Sequence, residues 1–151
     1  MTVVKILLVD DHAIVREGLR ALLESQPRLR VIGEAADGEQ AVAQAVALSP
    51  DVVMLDISMP KMNGIEAARH IRRLKPKARI IMISINDDAG HVADSFKSGA
   101  RGYVVKDTAP EEICLAVEKV HEGGIYCSEQ ALPGGESGAL ESLVADGAGD
   151  A

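Results

Sequence analysis

Aromatic side chains are scarce in this chain. Its 151 residues include two tyrosines, one phenylalanine and no tryptophan, although apolar residues make up 47% of the total. A chain of this length can bury a sizeable core as one domain, and that core must consist of aliphatic residues and methionine. Such a composition is typical of a parallel sheet covered by helices, whose central strands are buried on both faces. It disfavours a flavin carrier, which would need aromatic rings to flank its ligand.

Cysteine and long apolar runs are also scarce. Cys114 and Cys127 are too few for a disulfide framework or a metal set, so we expect reduced thiols that pack as small apolar groups. Residues 1–5 run directly into a predicted strand without a signal-peptide pattern, and no apolar run approaches the roughly 20 residues that span a bilayer. We therefore predict a cytoplasmic protein with no membrane partner.

Positive charge is in deficit. The chain has 16 Lys and Arg against 23 Asp and Glu, a net charge of −7, and no run of basic residues forms the stripe that neutralises nucleic-acid phosphates. We therefore expect no direct DNA binding by this chain. The phosphate-cradling pattern GxxxxGKS/T does not occur either, so binding and hydrolysis of ATP are not expected.

Two further sets of side chains are expected to be solvated. The first is a basic set at the end of the third predicted helix, where cations suit the helix dipole. Its members are Arg69, Arg72, Arg73, Lys75 and Lys77. The second is the histidines, which are scattered and show neither metal-ligand nor phosphorelay spacing. They are His12, His70, His91 and His121.

Short apolar runs alternate with helical patterns along most of the chain. Five runs are predicted strands: Val4–Val9, Val31–Gly33, Val52–Leu55, Ile80–Ile83 and Gly102–Val105. A helical pattern follows each run, with Asp37 and Thr108 as capping candidates for the second and last helices. Five repetitions of strand and helix predict an α/β fold, a doubly wound five-stranded parallel sheet with helices on both faces. We expect the flavodoxin-like strand order 2-1-3-4-5.

The composition changes after Leu132. Residues 133–151 contain four acidic residues, no Lys, Arg or His, and many Gly, Ala and Ser. We therefore predict one folded domain over residues 1–128, followed by a linker and a mobile acidic tail over residues 129–151. Three apolar residues at helical spacing leave a short amphipathic turn in the tail as an alternative.

Polar side chains follow the predicted strands at their carboxyl ends. They are Asp10 and Asp11 after the first strand, Asp56 after the third, Ser84 after the fourth and Lys106 after the fifth. In open parallel sheets, ligands bind at this edge, where the strand order reverses. If the first and third strands are neighbours, three carboxylates converge, and they cannot all stay ionised without a cation. Their hard oxygens suit Mg²⁺, which often also holds a phosphate oxygen.

The same residues fit phosphoryl transfer to a carboxylate. Such a step needs a nucleophile, a metal that neutralises charge, a lysine, and a hydroxyl donor for the phosphate oxygens. Each residue alone also has a simpler interpretation. Asp10 or Asp11 would cap the first helix. Ser84 would be a loop hydroxyl, and Tyr103 would be a half-buried aromatic of the sheet.

Four segments, in this order along the chain, resemble the signature segments of response-regulator receiver domains. They are VDDH (Val9–His12), DISMPKMNG (Asp56–Gly64), ISIND (Ile83–Asp87) and GARGYVVKD (Gly99–Asp107). EGGIYCS (Glu122–Ser128), which follows the last helix, is similar to the NarL/FixJ-type subfamily. The resemblance covers about residues 5–132 and implies a Mg²⁺-dependent, phosphoryl-accepting switch of two-component signalling.

The resemblance also implies which residues bind the metal. Asp56 would be the phosphoacceptor, and it would ligate Mg²⁺ together with Asp11. The backbone carbonyl of Ser58 would be the third protein ligand, and Asp10 would act largely through water.

By the same resemblance, Lys106 would pair with the acyl phosphate. Ser84 would move to bond a phosphoryl oxygen, and Tyr103 would change its packing as Ser84 moves. Ser58 and Asn86, at the variable flanking positions of the family, would tune the rate at which water removes the phosphoryl group.

Two residues depart from the family pattern. Ile85 follows the switch serine where many receivers carry a small residue, which predicts narrower access to the phosphoryl group. Asp107 follows Lys106 where many receivers have proline. The isomer of this bond is therefore open, because a cis bond costs about 2.5–4 kcal/mol without proline.

A response regulator of this kind receives its phosphoryl group from a sensor histidine kinase and then changes a protein-interaction surface. We predict that this surface includes the fourth helix, the fifth strand and the last helix. The protein would not be an enzyme beyond its own phosphorylation and dephosphorylation. A homodimer through the receiver is an open alternative to a monomer.

Regulators of the NarL/FixJ type normally continue into a helix-turn-helix module, and the 19 residues after Leu132 cannot form one. The chain would then be a fragment or variant of a transcription factor whose full-length form binds DNA, or a stand-alone receiver that acts through protein contacts. A phosphatase that turns over an aspartyl phosphate is a weaker alternative. It would need a second acid or base beside the nucleophile, and Ser58 cannot fill that role.

Overall fold

The structure, a computed structural model, describes residues 2–59, 61–85, 89–107 and 110–128. The predicted Thr108 cap and the predicted tail over residues 129–151 lie outside these residues. The strands are β1 (Val4–Val9), β2 (Leu29–Ala35), β3 (Val52–Asp56), β4 (Arg79–Ser84), β5 (Gly102–Val105) and β6 (Tyr126–Cys127). The helices are α1 (Ala13–Glu24), α2 (Gly38–Leu48), α3 (Gly64–Leu74), α4 (Ala89–Lys97) and α5 (Pro110–His121). None of these helices is both long and apolar enough to cross a membrane.

These strands form one parallel sheet in the order β2-β1-β3-β4-β5-β6. The predicted α/β class and the predicted order of the first five strands are confirmed. The prediction of five strands is incomplete, because β6 adds a sixth strand beside β5. It pairs Tyr126 with Gly102 and Cys127 with Tyr103. Two residues are too few to give the alternating pattern from which strands are predicted.

The sheet separates two apolar layers, because successive side chains of a strand point to opposite faces. From β1, Leu7 and Val9 belong to the layer with α2, α3 and α4, whereas Ile6 and Leu8 belong to the layer with α1 and α5. All four side chains are fully buried. Strands buried on both faces need apolar residues at nearly every position, which explains the continuous aliphatic runs of the sequence.

The second strand is longer than predicted and carries charge. The prediction stops at Gly33, but β2 continues to Ala35 and includes Glu34. Because β2 lies at the edge of the sheet, Glu34 reaches arginines of α1. Its carboxylate oxygens lie 3.1 Å from Arg16 Nε and 2.6 Å from Arg20 Nη1. These ion pairs explain why a charged residue is tolerated in this edge strand.

The starts of α1 and α2 are fixed in different ways. As predicted, Asp37 caps α2, and its Oδ1 accepts a hydrogen bond from the N–H of Gln40 at 2.8 Å. No side chain of the described residues caps α1, so neither Asp10 nor Asp11 has the simple capping role. Asp10 instead accepts the N–H of His12, the residue before the helix, at 2.8 Å.

Candidate functional site

Three carboxylates meet at the carboxyl ends of β1 and β3. Asp10 and Asp11 follow β1, Asp56 ends β3, and the two strands are neighbours in the sheet. The Asp10 side chain is fully buried, that of Asp56 is 4% exposed, and that of Asp11 is 29% exposed. Potential ligand atoms of these residues and of His12 all lie within 4.8 Å of one another. These four residues, the acidic cluster, are of a kind that can bind a metal ion.

Lys106 brings an ammonium group close to two of these carboxylates. Its Nζ lies 2.8 Å from Asp10 Oδ2 and 3.4 Å from Asp56 Oδ2, and its side chain is 17% exposed. Lys106 follows β5, and its N–H donates to the carbonyl of Ser84 at 2.7 Å, which fixes the backbone from which the side chain extends. Burial alone lowers the pKa of Lys106, but Asp10 and Asp56 outweigh burial and raise it. The lysine is therefore charged in the site.

Asp56 is subject to opposing influences. Burial raises the pKa of Asp56 most strongly, Lys106 lowers it, and the negative charge of Asp10 raises it. The N–H of Ser58 donates to Asp56 Oδ1 at 3.2 Å and also lowers this pKa. The result is a pKa of about 6, above the ordinary value of 3.8. Groups that titrate this close to neutral pH are typical of functional sites.

The loop after β3 folds back tightly over the end of the strand. The N–H of Gly64 donates to the carbonyl of Ile57 at 2.8 Å, and a Cβ at Gly64 would collide with the carbonyl oxygen of Asp56. Only glycine lets α3 begin this close to the strand end. Ser58, whose backbone carbonyl is the predicted metal ligand, is exposed in this loop directly after Ile57.

Ser84 and Tyr103 lie on the two strands beyond β3. Ser84 ends β4 and is 2% exposed. In the register of the sheet Asp56 pairs with Ile83, so Ser84 lies one residue beyond the partner of Asp56. Tyr103 pairs with Met82 and is fully buried in the layer that includes α4, so the interpretation of Tyr103 as half-buried is wrong. The switch roles of Ser84 and Tyr103 stay predictions.

The sequence does not single out His12, but the structure brings it to the acidic cluster. Its side chain is 64% exposed, as expected of a solvated histidine, yet Nδ1 lies 3.1 Å from Oδ1 of Asp10 and 3.1 Å from Oδ1 of Asp11. The exposure agrees with the expected solvated role, but the expectation that no histidine lies among potential metal ligands misses His12. Its position directly after the acidic pair is the signal that the sequence offered.

Three further expectations concern the surroundings of the site. Ile85, which follows Ser84, is 76% exposed, and its effect on access stays a prediction. The described residues contain no cis peptide bond, so the bond from Lys106 to Asp107 is trans. Asn86, the second predicted tuning residue, lies outside the described residues.

Comparisons with known sequences agree with this site. Residues 6–118 match the response regulator receiver domain family. The nitrate/nitrite response regulator protein NarL of Escherichia coli K12 is 38% identical over 128 residues, which are 85% of this chain and 59% of that protein. The response regulator UvrY of Escherichia coli O157:H7 is 41% identical over 123 residues, which are 82% of this chain and 56% of that protein.

Solved structures share the fold. The signal receiver domain of NarL from Mycobacterium tuberculosis has 34% sequence identity and a TM-score of 0.79, covering 82% of this chain and 99% of that one. The isolated REC domain of RcsB from Salmonella enterica serovar Typhimurium was solved in the presence of the phosphomimetic BeF3−. It has 26% identity and a TM-score of 0.80, covering 86% of this chain and 96% of that one.

The chain therefore belongs to the response regulator receiver domain family. Within that family it is similar to the response regulators NarL and UvrY and to the REC domain of RcsB. The chain spans 59% of the length of NarL and 56% of the length of UvrY.

Proposed function

We propose that Asp56 accepts a phosphoryl group from the phosphohistidine of a sensor histidine kinase. One observation supports this above all others: a buried carboxylate at the end of a central strand has a lysine ammonium at 3.4 Å and two further carboxylates beside it. A nucleophile and a cation for the phosphoryl oxygens thus lie together.

The donor set of the acidic cluster fits Mg²⁺. Its carboxylate oxygens are hard ligands, and Oδ2 of the fully buried Asp10 has the Lys106 ammonium 2.8 Å away as its counter-charge. Asp11 and Asp56 would hold the ion through their carboxylates. Ser58 would add its backbone carbonyl, and Asp10 would act through water. When bound, Mg²⁺ supplies positive charge that balances the carboxylates and the phosphoryl oxygens.

The carboxylate of Asp56 is the nucleophile. It attacks the phosphorus of the donor, so that a P–O bond to Asp56 forms while the P–N bond to the donor imidazole breaks. With a pKa of about 6, Asp56 is mostly ionised at neutral pH, and the attacking form is present. The Lys106 ammonium, 3.4 Å from Asp56, pairs with a phosphoryl oxygen as negative charge develops there.

Ser84 and Tyr103 convert the modification into a change of surface. The phosphoryl group adds negative charge and acceptor oxygens, and Ser84 ends the strand next to that of Asp56. When the Ser84 hydroxyl moves to a phosphoryl oxygen, it changes the space beneath α4, where Tyr103 is buried. Phosphorylation then shifts a pre-existing equilibrium of the surface formed by α4, β5 and α5.

In a full-length form this surface would control transcription. The name of one relative, the transcriptional regulatory protein DegU of Brevibacillus brevis, supports this output, and the chain covers 52% of that protein. Homodimerisation through the receiver is the proposed response, and catalysis would be limited to the chain's own phosphorylation and dephosphorylation. The free thiols Cys114 and Cys127 suit the cytoplasm. A stand-alone receiver that acts by protein contacts is the alternative.

Intact-protein mass spectrometry after incubation with acetyl phosphate tests the role of Asp56. The wild-type chain should gain the mass of one phosphoryl group with Mg²⁺ and none when EDTA replaces it. Asp56→Asn should stay unmodified, because an amide does not attack phosphorus. Asp51→Asn removes an acid at the opposite end of β3 and should react as the wild type does. Equal modification of Asp56→Asn would contradict the proposal.

Ser84→Ala should separate phosphorylation from its response. The variant keeps Asp56 and Lys106, so we expect the same mass gain in acetyl phosphate. The chemical-shift changes that phosphorylation causes in the amides of β5 and α5 should be about fivefold smaller, because the hydroxyl that couples them is gone. Ser25→Ala, at the end of α1, is the control and should respond fully. An undiminished response in Ser84→Ala would show that this hydroxyl does not couple phosphorylation of Asp56 to the change in β5 and α5.

A further inference from the structure

A cavity lies at the end of the sheet opposite to the acidic cluster. It has a volume of about 720 Å³ and is found where α3 and α4 end and β5 begins. Among its seven lining residues none is acidic, although the whole chain carries a net charge of −7. Five of the seven are cationic: Arg69, Arg72, Arg73, Lys97 and Arg101. We call this feature the basic cavity.

Most cations of the basic cavity lack the carboxylate partners that several arginines have elsewhere in the protein. Arg16 and Arg20 pair with Glu34, and Arg28 Nη1 lies 2.7 Å from a carboxylate oxygen of Glu118. Four cations of the basic cavity have no carboxylate partner among the described residues: Arg69, Arg73, Lys97 and Arg101. The expectation of a merely solvated helix end therefore misses a concentration of positive charge that draws on three segments of the chain.

Helix dipoles explain only part of this charge. Arg72 and Arg73 lie in the last turn of α3 and Lys97 lies in the last turn of α4, where cations are favourable. Arg101 lies on no helix and directly precedes β5. Its Nη1 is buried and has no hydrogen-bond partner within the described structure. A buried guanidinium nitrogen without an acceptor is unfavourable unless a ligand supplies one.

The local backbone holds the arginines together. Gly99 has a φ of 111°, and a Cβ at this position would collide with the side chain of Arg72. Arg72 is thus packed against the turn that leads to Arg101. Burial, followed by the positive charges of Arg72 and Arg79, lowers the pKa of Arg101. Like charges are gathered around a guanidinium that stays protonated at neutral pH.

We propose that the basic cavity binds a small multivalent oxyanion of the phosphate or polyphosphate class. Four of its five cations are arginines, whose planar groups present paired N–H donors that match phosphate oxygens. Its volume of about 720 Å³ lies within the range of about 300–1,000 Å³ of small-molecule sites. An oxyanion oxygen would be the acceptor that Nη1 of Arg101 lacks. The site is separate from the phosphoacceptor Asp56.

Calorimetric titration of the full chain with inorganic pyrophosphate tests this site. EDTA in the buffer keeps Mg²⁺ from recruiting the ligand to the acidic cluster. We expect saturable binding of one ligand per chain that weakens as salt is added. Arg101→Gln should raise Kd by about tenfold, because a charge-assisted hydrogen bond is lost. Arg69 is exposed on α3, so Arg69→Gln should not affect folding. This variant should raise Kd by about threefold.

A control variant and a spectroscopic measurement distinguish binding in the basic cavity from general electrostatic attraction of the ligand to the protein. Arg30→Gln removes an exposed positive charge from β2, at the far edge of the sheet, and should leave Kd within about twofold of the wild-type value. In nitrogen-15 spectra, pyrophosphate should shift the side-chain Nε–H signals of Arg72 and Arg101. Three results would each overturn the proposal. They are the absence of saturable binding, a loss of affinity in Arg30→Gln equal to that in Arg101→Gln, and nitrogen-15 shifts confined to the amides of Asp10 and Asp56.

The test must also exclude occupation of the basic cavity by the chain's own carboxylates. Five acidic residues follow Ser128: Glu129, Glu136, Glu141, Asp146 and Asp150. A variant with all five changed to the corresponding amides should bind pyrophosphate with a Kd within about twofold of that of the wild type. Much tighter binding by this variant would show that these carboxylates occupy the cavity. It would overturn the assignment to a soluble oxyanion.

Discussion

In metal-free solution, Asp56→Asn is expected to stabilise the folded domain at pH 7 by about 1–3 kcal/mol. Burial raises the pKa of Asp56 from the ordinary 3.8 to about 6. The folded state thus holds this proton more tightly than the unfolded chain does. The contribution of Asp56 to stability is fully present below pH 3.8 and is lost as the pH rises through about 6. Asparagine has no such proton to lose, so the gain of the variant should grow as the pH rises from 3.8 to about 6 and stay nearly constant above that.

Urea unfolding in EDTA at several pH values measures this difference. Glu17→Gln removes an exposed carboxylate from α1, and its effect on the free energy of unfolding should be close to zero at every pH. A gain in Asp56→Asn that is the same at about pH 4 and at pH 7 would contradict burial of an ionised Asp56 as its source, because the gain should develop between pH 3.8 and about 6.

Added Mg²⁺ should reduce the difference in stability between Asp56→Asn and the wild-type chain. A cation that binds the ionised folded state and not the unfolded chain stabilises the protein by mass action. Millimolar Mg²⁺ should therefore raise the Tm of the wild-type chain at pH 7 and raise that of Asp56→Asn much less. An equal rise in both proteins would mean that the stabilising ion binds elsewhere.

Lys106→Met is expected to slow the phosphorylation of Asp56 by acetyl phosphate about a hundredfold. The Nζ of Lys106 lies within 3.4 Å of a carboxylate oxygen of both Asp10 and Asp56. Methionine keeps much of the side-chain volume but lacks the charge that would meet the phosphoryl oxygens. The change also leaves two buried carboxylates without their cation, so the free energy of unfolding in EDTA at pH 7 should fall by about 3 kcal/mol.

Two measurements check this variant: the rate of mass gain in acetyl phosphate with saturating Mg²⁺, and urea unfolding in EDTA. Lys77→Met removes an exposed lysine between α3 and β4 and should change neither quantity. Phosphorylation of Lys106→Met at the wild-type rate would mean that Lys106 does not meet the phosphoryl group. The double variant with Asp56→Asn should recover part of the lost stability, because one of the two buried carboxylates is then neutral.

The central strands and the acidic cluster could be predicted because their signals are local. A strand buried on both faces shows a continuous apolar run, and the polar residue that ends the run marks the edge where ligands bind. Asp10, Asp11 and Asp56 could thus be assigned to one edge once the strand order was assumed. The edge strands gave weaker signals, because β2 includes the charged Glu34 and β6 has two residues.

Distances between separate segments could not be predicted in the same way. The basic cavity joins Arg72, Lys97 and Arg101 from α3, from α4 and from the turn before β5, and no one of these segments stands out as a binding site alone. The raised pKa of Asp56 depends first on burial, which is a property of the folded chain. His12 follows the acidic pair in sequence, but its contact with both carboxylates depends on the turn before α1.

The short strand β6 pairs with β5, which would otherwise be an exposed edge strand prone to aggregation. Tyr126 and Cys127 pair with the first half of β5, and the hydroxyl of Ser128 accepts the N–H of Val105 at 3.1 Å. The family match ends at residue 118, but a chain shortened to that point would leave the backbone groups of β5 open to strands of other molecules. The ten residues from 119 to 128 therefore help to prevent edge-to-edge pairing between the sheets of different molecules.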